Sequence, residues 1–578
     1  MPRRTPRVKW LFTGIVCFLS KICDFPDSLL GTYCFRFCGR YIMTQGNENI
    51  LNTNFKQIKR VQIALIIGLL LLAVLSVLRL GHLSMSPVLG DDNAVYLTSA
   101  LSLAEGNGYR LQNFPDNPPA KLYPIGYPLV LSLVISILGF GPYGLMVILI
   151  LNIIYSVVGL WIVFLILCRG LSSCFSALLT LFIGVNPIFF MYVCRVYSES
   201  LFFLLTVLFI YVCELPLVDR KKDLKWGLVG LLVAFLMIVR TIGFTYAVGI
   251  MLVFLVKSQW KSMLYFCLGF SFIQVPWLAW TFMNKGGTFS NYSAFGGQGF
   301  TWYTPVLNLW SVICGVIKLV FPFLETRAVD GLIQRLHLMP VFYLIGIGIG
   351  AVIIWGAWCR IRQGYVISSC LICYMAVVLL WPWEPSRFLF PVTPLLLLLL
   401  IDGGKEIVKF FPRLHLIKYR VSFILFYVGI IFSGIFVQIN LVNNVWKYGS
   451  TAGTEAFSDW LGFEDACNFL KLKSENNSVV ISSYPYSTYL LTGRKTLEQI
   501  VLSDLQKTNL DQIDLLIRSV PVSQPLYLFA TVRKHAMTGF ESGMMLVKDY
   551  EKRHPGALVK IWSSRDGGKI IYRVEKRK

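Results

Sequence analysis

The chain has 578 residues, 56% of them hydrophobic and only 14% charged, with a formal net charge of +23. That balance excludes a soluble globular domain, because windows of about twenty apolar residues recur, the length a helix needs to cross a bilayer core of about 30 Å. The excess Lys and Arg lie between those windows, as topology determinants and headgroup contacts would, which argues against nucleic-acid binding.

In chain order, Trp10 to Ser20 is too short to span, is broken by Lys21 and lacks a small-residue cleavage site, so it does not read as a signal peptide. Cys17, Cys23, Cys34 and Cys38 cluster there. Residues 1–61 read as a cytoplasmic N-terminal segment. Translation from Met43, whose basic lead-in suits a first span, is an expectation that leaves 1–42 outside the native chain. Spans are expected over 62–80, 143–168, 173–191, 199–213, 226–240, 242–256, 262–283, 339–358, 366–382, 386–401 and 420–440. The short, Gly/Pro-flanked apolar stretches 126–140 and 309–324 read as surface-lying or re-entrant helices.

The basic residues test this count. Lys59 and Arg60, then Arg220 to Lys225, Lys257 and Lys261, Arg360 and Arg362, and Lys405 to Arg420 all fall in loops on one face when eleven spans are drawn. The positive-inside rule makes that face cytoplasmic. The outer loop 81–142, the loop 284–338 and everything from 441 onward then lie outside. The fold class is therefore a polytopic α-helical membrane protein, with a transmembrane part over 62–440. The tail, 441–578, carries more charge, short apolar runs such as Ser478–Ile481 and Leu526–Phe529, and a helix-like stretch at 464–472; it reads as a small α/β extracytoplasmic domain.

Most of the 14 cysteines lie in apolar or N-terminal stretches, and Cys467 stands alone in the tail. Cys370 and Cys373 form a CxxC inside an apolar helix with no second pair or His nearby, a poor zinc or redox site. His337 and His535 have no partner motif and read as structural. Asn291 and Asn476 begin glycosylation sequons of a kind that arises often by chance.

The residues able to do chemistry gather near the outer face. Asp91 and Asp92 open an amphipathic stretch carrying Ala94, Leu97, Leu101 and Ala104. Capping that helix would explain one of them. Paired carboxylates also repel, which raises their proton affinity toward the range useful for deprotonating an attacking hydroxyl, and hard oxygen ligands of this kind could hold Mg or Mn as a divalent cation. Arg195, Glu199, Arg240, Glu384 and Arg387 sit at span ends, where each needs a partner, water or a snorkelling path. Arg240 and Arg387 suit a lipid-linked phosphate, because the planar guanidinium matches phosphate oxygens. Lys121 could be another phosphate contact. Tyr96, Tyr123 and Tyr127 read as substrate-lining or as interfacial tyrosines at headgroup depth.

In order and sidedness, Gly90-Asp91-Asp92…Tyr96, Glu105-Gly106-Asn107-Gly108-Tyr109, Tyr123-Pro124-Ile125-Gly126-Tyr127-Pro128, Tyr197-Ser198-Glu199, Arg240-Thr241-Ile242-Gly243 and Arg387–Pro394 resemble the GT-C fold glycosyltransferases. Within them the bacterial branch akin to protein O-mannosyltransferases and the lipid A aminoarabinose transferase is most similar. The resemblance covers about residues 60–440. It implies an inverting hexosyl- or pentosyltransferase of the plasma (inner) membrane with a polyprenyl-phosphate sugar donor and a lipid, glycan or protein acceptor. Asp91 or Asp92 would be the base, and Lys121, Arg240 and Arg387 the donor-phosphate contacts. This chain has Asp-Asp where relatives often have Asp-Glu, which leaves open which carboxylate is the base and whether a metal takes part. A transporter or flippase is the alternative; it tends to show inverted repeats and midplane charges, and neither is evident here. A non-catalytic scaffold whose outer domain binds a partner is a third reading.

Overall fold

The structure is a computed structural model that describes residues 48–80, 91–186, 189, 192–214, 222–284, 303–320, 339–362, 365–381, 386–410, 431, 434–440, 442–443, 454–482, 484–498, 516–531, 544–565 and 567–575. The expectations for residues 1–42, Glu384, His337, His535, Asn291 and most of the loop 284–338 lie outside these, as does the Asp91 side chain.

Among the described residues, the helices ahead of the tail include α1 (Glu48–Leu80), α2 (Asp91–Ala104), α3 (Gly126–Leu138), α4 (Pro142–Leu167), α5 (Ser173–Gly184), α6 (Glu199–Cys213), α7 (Lys222–Val239), α8 (Phe244–Val256), α9 (Trp260–Met283), α10 (Thr304–Val320), α11 (Met339–Arg362), α12 (Val366–Leu380) and α13 (Ser386–Phe410). Five of them, within α1, α4, α9, α11 and α13, are long and apolar enough to cross a membrane, and α3, α5, α6, α7, α8, α10 and α12 are shorter apolar helices. Large apolar side chains stay exposed along α1 (Ile63, Ile67, Leu71), α9 (Leu268, Phe272, Phe282) and α11 (Leu344, Ile354), the surface a lipid-facing bundle presents. On α3 one stripe, Leu129, Leu133 and Ile137, is exposed while Tyr127, Leu131 and Ile135 on the other side are buried. That two-sided pattern is what a helix lying at the membrane surface requires.

The boundaries depart from the sequence reading in places. α5 stops at Gly184 instead of running to 191, ahead of Asn186-Pro187, because the residue before proline is pushed out of the helical region. α13 continues to Phe410 instead of ending near 401, so Lys405 and Lys409 lie on a helix, paired i,i+3 with Asp402 and Glu406, and not in a loop. α1 begins well before residue 62, at Glu48.

The tail builds a five-stranded sheet from β1 (Val479–Ser482), β2 (Lys495–Glu498), β3 (Leu526–Thr531), β4 (Leu558–Ser563) and β5 (Lys569–Val574), in the order β2-β1-β3-β5-β4. β2, β1 and β3 run parallel; β5 is antiparallel to both β3 and β4. Three helices accompany it: α14 (Thr454–Lys473), α15 (Pro485–Thr492) and α16 (Met544–Arg553). Strand alternation sends Val480, Tyr527, Phe529 and Ile571 toward Phe463, Cys467 and Leu470 of α14. Val479, Ile481, Leu526 and Leu528 go to the opposite core with Val547 and Tyr550 of α16. Covered on both faces, the central strands are apolar throughout, as parallel strands usually are.

Candidate functional site

Two glycines fix the corner on which the site is built. α7 ends at Val239, Arg240 turns extended (φ −145°, ψ 130°), and a 3₁₀ turn, Thr241–Gly243, leads into α8. A side chain on Gly243 would collide with the backbone of Leu236 and Met237, and one on Gly126 with that of Ile238 and Val239. The two Ile-Gly motifs therefore let the chain double back on α7 and let α3 dock on the same corner. Arg240 projects from it.

Four charged side chains meet there. Glu199, in the first turn of α6, is fully buried. Its Oε1 meets Arg240 Nη1 at 2.6 Å and also accepts from Arg387 Nε, at the start of α13. Arg387 Nη1 pairs with Asp92 Oδ2, and the Tyr123 hydroxyl donates to Asp92 Oδ1. Both Asp92 oxygens are thus engaged by side chains from distant segments. Two acids and two guanidiniums sum to no net charge.

Aromatic rings wall the cluster. The Arg387 guanidinium lies 4.6 Å from the Tyr197 ring, and that of Arg240 lies 5.2 Å from Phe388 and 5.9 Å from Phe202, within cation–π reach. Tyr96 packs against Tyr123 (centroids 4.6 Å) and Tyr127 (5.1 Å). Its hydroxyl is 3.2 Å from Ser198 Oγ. Burial first, and the adjacent Asp92 second, push the Tyr96 phenol well above its ordinary value, so it works as a neutral hydroxyl.

Of the sequence-derived residues, Asp92, Arg240, Arg387, Glu199, Tyr123 and Tyr96 come together. Tyr127 faces no solvent: it is fully buried and bonded to Asn152, whose Nδ2 lies 3.1 Å from the Tyr127 hydroxyl and 2.7 Å from the Arg195 carbonyl. It serves as a strut under the site, because a phenol at that depth needs a polar partner. Arg195 lies one ring away, 5.8 Å from Tyr197. Lys121, in the segment before α3, is half-buried. Sequence reasoning missed Asn152, whose signal was a lone amide in the middle of the apolar α4, and Ser198 and Tyr197 as members of the cluster.

Among the described residues no group of three or more His, Cys, Asp or Glu side chains could hold a metal ion. The described acids here, Asp92 and Glu199, are each paired with a guanidinium.

The tail reaches this region. Lys495 Nζ donates to the Gln112 carbonyl (2.6 Å) and to Asn117 Oδ1 (2.7 Å). Thr496 N donates to the Asn113 carbonyl (2.6 Å), and Asn113 Nδ2 returns a bond to Thr496 Oγ1 (3.2 Å). Tyr486 of α15 meets Phe114 edge-on at 5.7 Å, and Leu490 joins the helical core that includes Tyr96 and Leu97 of α2.

No protein-family model matches the sequence, and no curated protein matches it. Solved structures do. ArnT from Cupriavidus metallidurans, bound to undecaprenyl phosphate, aligns at 11% identity with a TM-score of 0.50, covering 88% of this chain and 97% of that one. The oligosaccharyltransferase of Archaeoglobus fulgidus, tethered to an acceptor peptide containing the NVT sequon, aligns at 11% identity and TM-score 0.50, covering 89% and 74%. Both have the GT-C fold of membrane glycosyltransferases, and so does this chain.

Proposed function

We propose that the protein is an integral-membrane glycosyltransferase that moves a sugar from a polyprenyl-phosphate-linked donor to an extracytoplasmic acceptor, with inversion. The acceptor hydroxyl attacks the sugar's anomeric carbon while Asp92 takes its proton. The bond from that carbon to the phosphate oxygen breaks, and its electron pair leaves with the prenyl phosphate, which gains a second negative charge. Arg240 and Arg387 turn from the acids to this leaving group, fixed cations placed where charge develops. Glu199 holds both guanidiniums ready, Tyr123 orients Asp92, and Lys121 adds a phosphate contact.

The observation that carries this reading is Arg387 bridging Asp92 and Glu199 while Arg240 meets the same Glu199. A proton acceptor and two phosphate-matching forks share one spot at the ends of helices. The undecaprenyl phosphate in the ArnT structure and the acceptor peptide in the oligosaccharyltransferase structure fit the same chemistry. The remaining assignments belong to the proposal: eleven spans over 62–440, an extracytoplasmic tail over 441–578, and a cytoplasmic N-terminus in a plasma (inner) membrane.

The test is transfer of labelled sugar in membranes supplied with a polyprenyl-phosphate donor. Asp92→Asn is expected to reduce transfer by about 10²–10⁴-fold with expression unchanged. Asp91→Asn, measured beside it, decides which acid is the base. Full transfer by Asp92→Asn would move that role to Asp91, and full transfer by both single variants and their combination would refute the enzyme.

A further inference from the structure

A base needs a fixed direction, and when Arg387 turns to the leaving group it abandons one of the two Asp92 oxygens. Among the described residues, the Tyr123 hydroxyl on the other oxygen is the partner that stays. Tyr123 lies in a stretch, 121–125, that is neither helix nor strand, so its backbone must be held from outside. The Tyr109 hydroxyl does this, donating to the Tyr123 carbonyl at 2.9 Å. Tyr109 is itself buried, its ring centroid 5.4 Å from that of Trp280 and 6.1 Å from that of Trp277, both on α9.

The loop that carries Tyr109 doubles back on itself. Ala120 N donates to the Tyr109 carbonyl (3.1 Å) and Leu111 N to the Pro118 carbonyl (2.8 Å). Its start is tied to α2, where the Ser102 hydroxyl donates to the Gly108 carbonyl at 2.9 Å. Its tip is tied to the tail. Lys495 Nζ spans both arms, reaching the Gln112 carbonyl and the Asn117 side chain, while Thr496 pairs with Asn113 between them. Asn117 has a φ of 45°, a left-handed conformation that few side chains adopt without support. Bonds and packed rings therefore lead from β2 of the tail, through this loop, to the Asp92 carboxylate.

We propose that the tail sets the rate of the transfer step through this loop: Lys495 and Thr496 hold it, Tyr109 holds Tyr123, and Tyr123 aims Asp92. This rests on the glycosyltransferase reading and deepens it, adding Tyr109 and Lys495 as positioning residues that touch no reacting atom. Misplacing a reacting group by about 1 Å can cost about 10²-fold in rate. The loss falls on the chemical step and not on donor binding, because the guanidiniums of Arg240 and Arg387 come from other segments.

The experiment uses the full-length protein in neutral detergent, a labelled polyprenyl-phosphate sugar as donor, and membranes from cells lacking the protein as acceptor. Tyr109→Phe keeps the ring against the two tryptophans and removes only the hydroxyl. Lys495→Met keeps the stem and removes the ammonium. Each is expected to lower the maximal rate per folded molecule by about tenfold, for a base loosened and not lost, with donor KM and farnesyl phosphate binding as in the wild type. Lys495→Arg should recover most of the rate. Because both residues act along one path, Tyr109→Phe combined with Lys495→Met should lose no more than the greater single loss. Losses that multiply, or wild-type rates in Tyr109→Phe, would overturn the proposal. So would a Lys495→Met rate restored by excess acceptor membranes, which would make the tail an acceptor-binding element. No transfer by the wild type, or farnesyl phosphate binding that ignores Arg387→Gln, sinks the underlying reading instead.

Discussion

The bundle holds charged clusters at two ends, and they differ in completeness. The site cluster joins the start of α6, at Glu199, to the start of α13, at Arg387. About 22 Å further along each helix, by the rise of 1.5 Å per residue, a second cluster joins the ends of the same elements. There Glu214 receives Arg169 (3.4 Å) and Arg360 (3.0 Å), and Arg360 also holds Asp402 at 2.6 Å. Lys405 donates to the Gly170 carbonyl at 3.1 Å. Arg169 follows α4, Arg360 lies in the last turn of α11, and Lys405 lies in the C-terminal part of α13, near helix C-termini, where cations are favoured. No atom of that second cluster is a buried orphan among the described residues, whereas Glu199 Oε2 and Arg240 Nη1 are, the latter ion-paired but out of hydrogen-bond alignment. Native structures seldom leave buried polar atoms so. A satisfied cluster holds helices together; an unsatisfied one, with Asp92 and Arg387 about a quarter exposed, leaves bonding capacity for a ligand.

That contrast is open to breaking. Glu199→Gln is expected to have the largest effect, since it leaves two guanidiniums without their shared acid; unpairing a buried ion costs about 3–5 kcal/mol. Sugar transfer should vanish and the thermal midpoint should fall, readable in one preparation by activity and melting. Glu214→Gln at the other end should lower the midpoint too, yet keep transfer per folded molecule within about twofold, because the phosphate clamps are untouched. Equal loss of transfer in both would erase the distinction between the clusters.

The tail offers a finer comparison. Asn113→Ala removes one partner of a buried exchange with Thr496, worth about 1–3 kcal/mol. Amide exchange over 109–123 and 485–498 should quicken together, with little change in 544–575. The smallest effect concerns Glu475, whose carboxyl is held below its ordinary range, first by the Tyr527 hydroxyl at 2.6 Å and then by its own backbone. A carboxyl depressed in the folded state stabilises above the unfolded value, and that contribution is lost as pH falls through the folded one. Tyr527→Phe should therefore move the Glu475 titration upward by NMR and flatten the acid limb of stability.

Much of the site was legible in the residues. Asp92, Arg240 and Arg387 stood out because charges at span ends are costly and need partners, and Gly126 and Gly243 stood in their motifs because backbones meet there. The partnerships were not legible. Glu199 lies 188 positions from Arg387, and Asn113 lies 383 from Thr496. Periodicity reports which face of a helix is apolar, not which distant helix lies against it. At the far end Arg360 and Lys405, expected in loops, lie inside α11 and α13, and the acids Glu214 and Asp402 gave no sign of joining them into a network, because each is an isolated charge in its own segment.

The account depends on the two clusters facing opposite compartments. Exposed Asp116, in the loop tied to the tail, and exposed Lys409, at the end of α13, can each be replaced by cysteine in a cysteine-depleted background that retains transfer. An impermeant thiol reagent added to intact cells is expected to label Asp116→Cys and to reach Lys409→Cys only after lysis. Labelling of Lys409→Cys alone in intact cells would put the acid–arginine cluster in the cytosol and contradict the account.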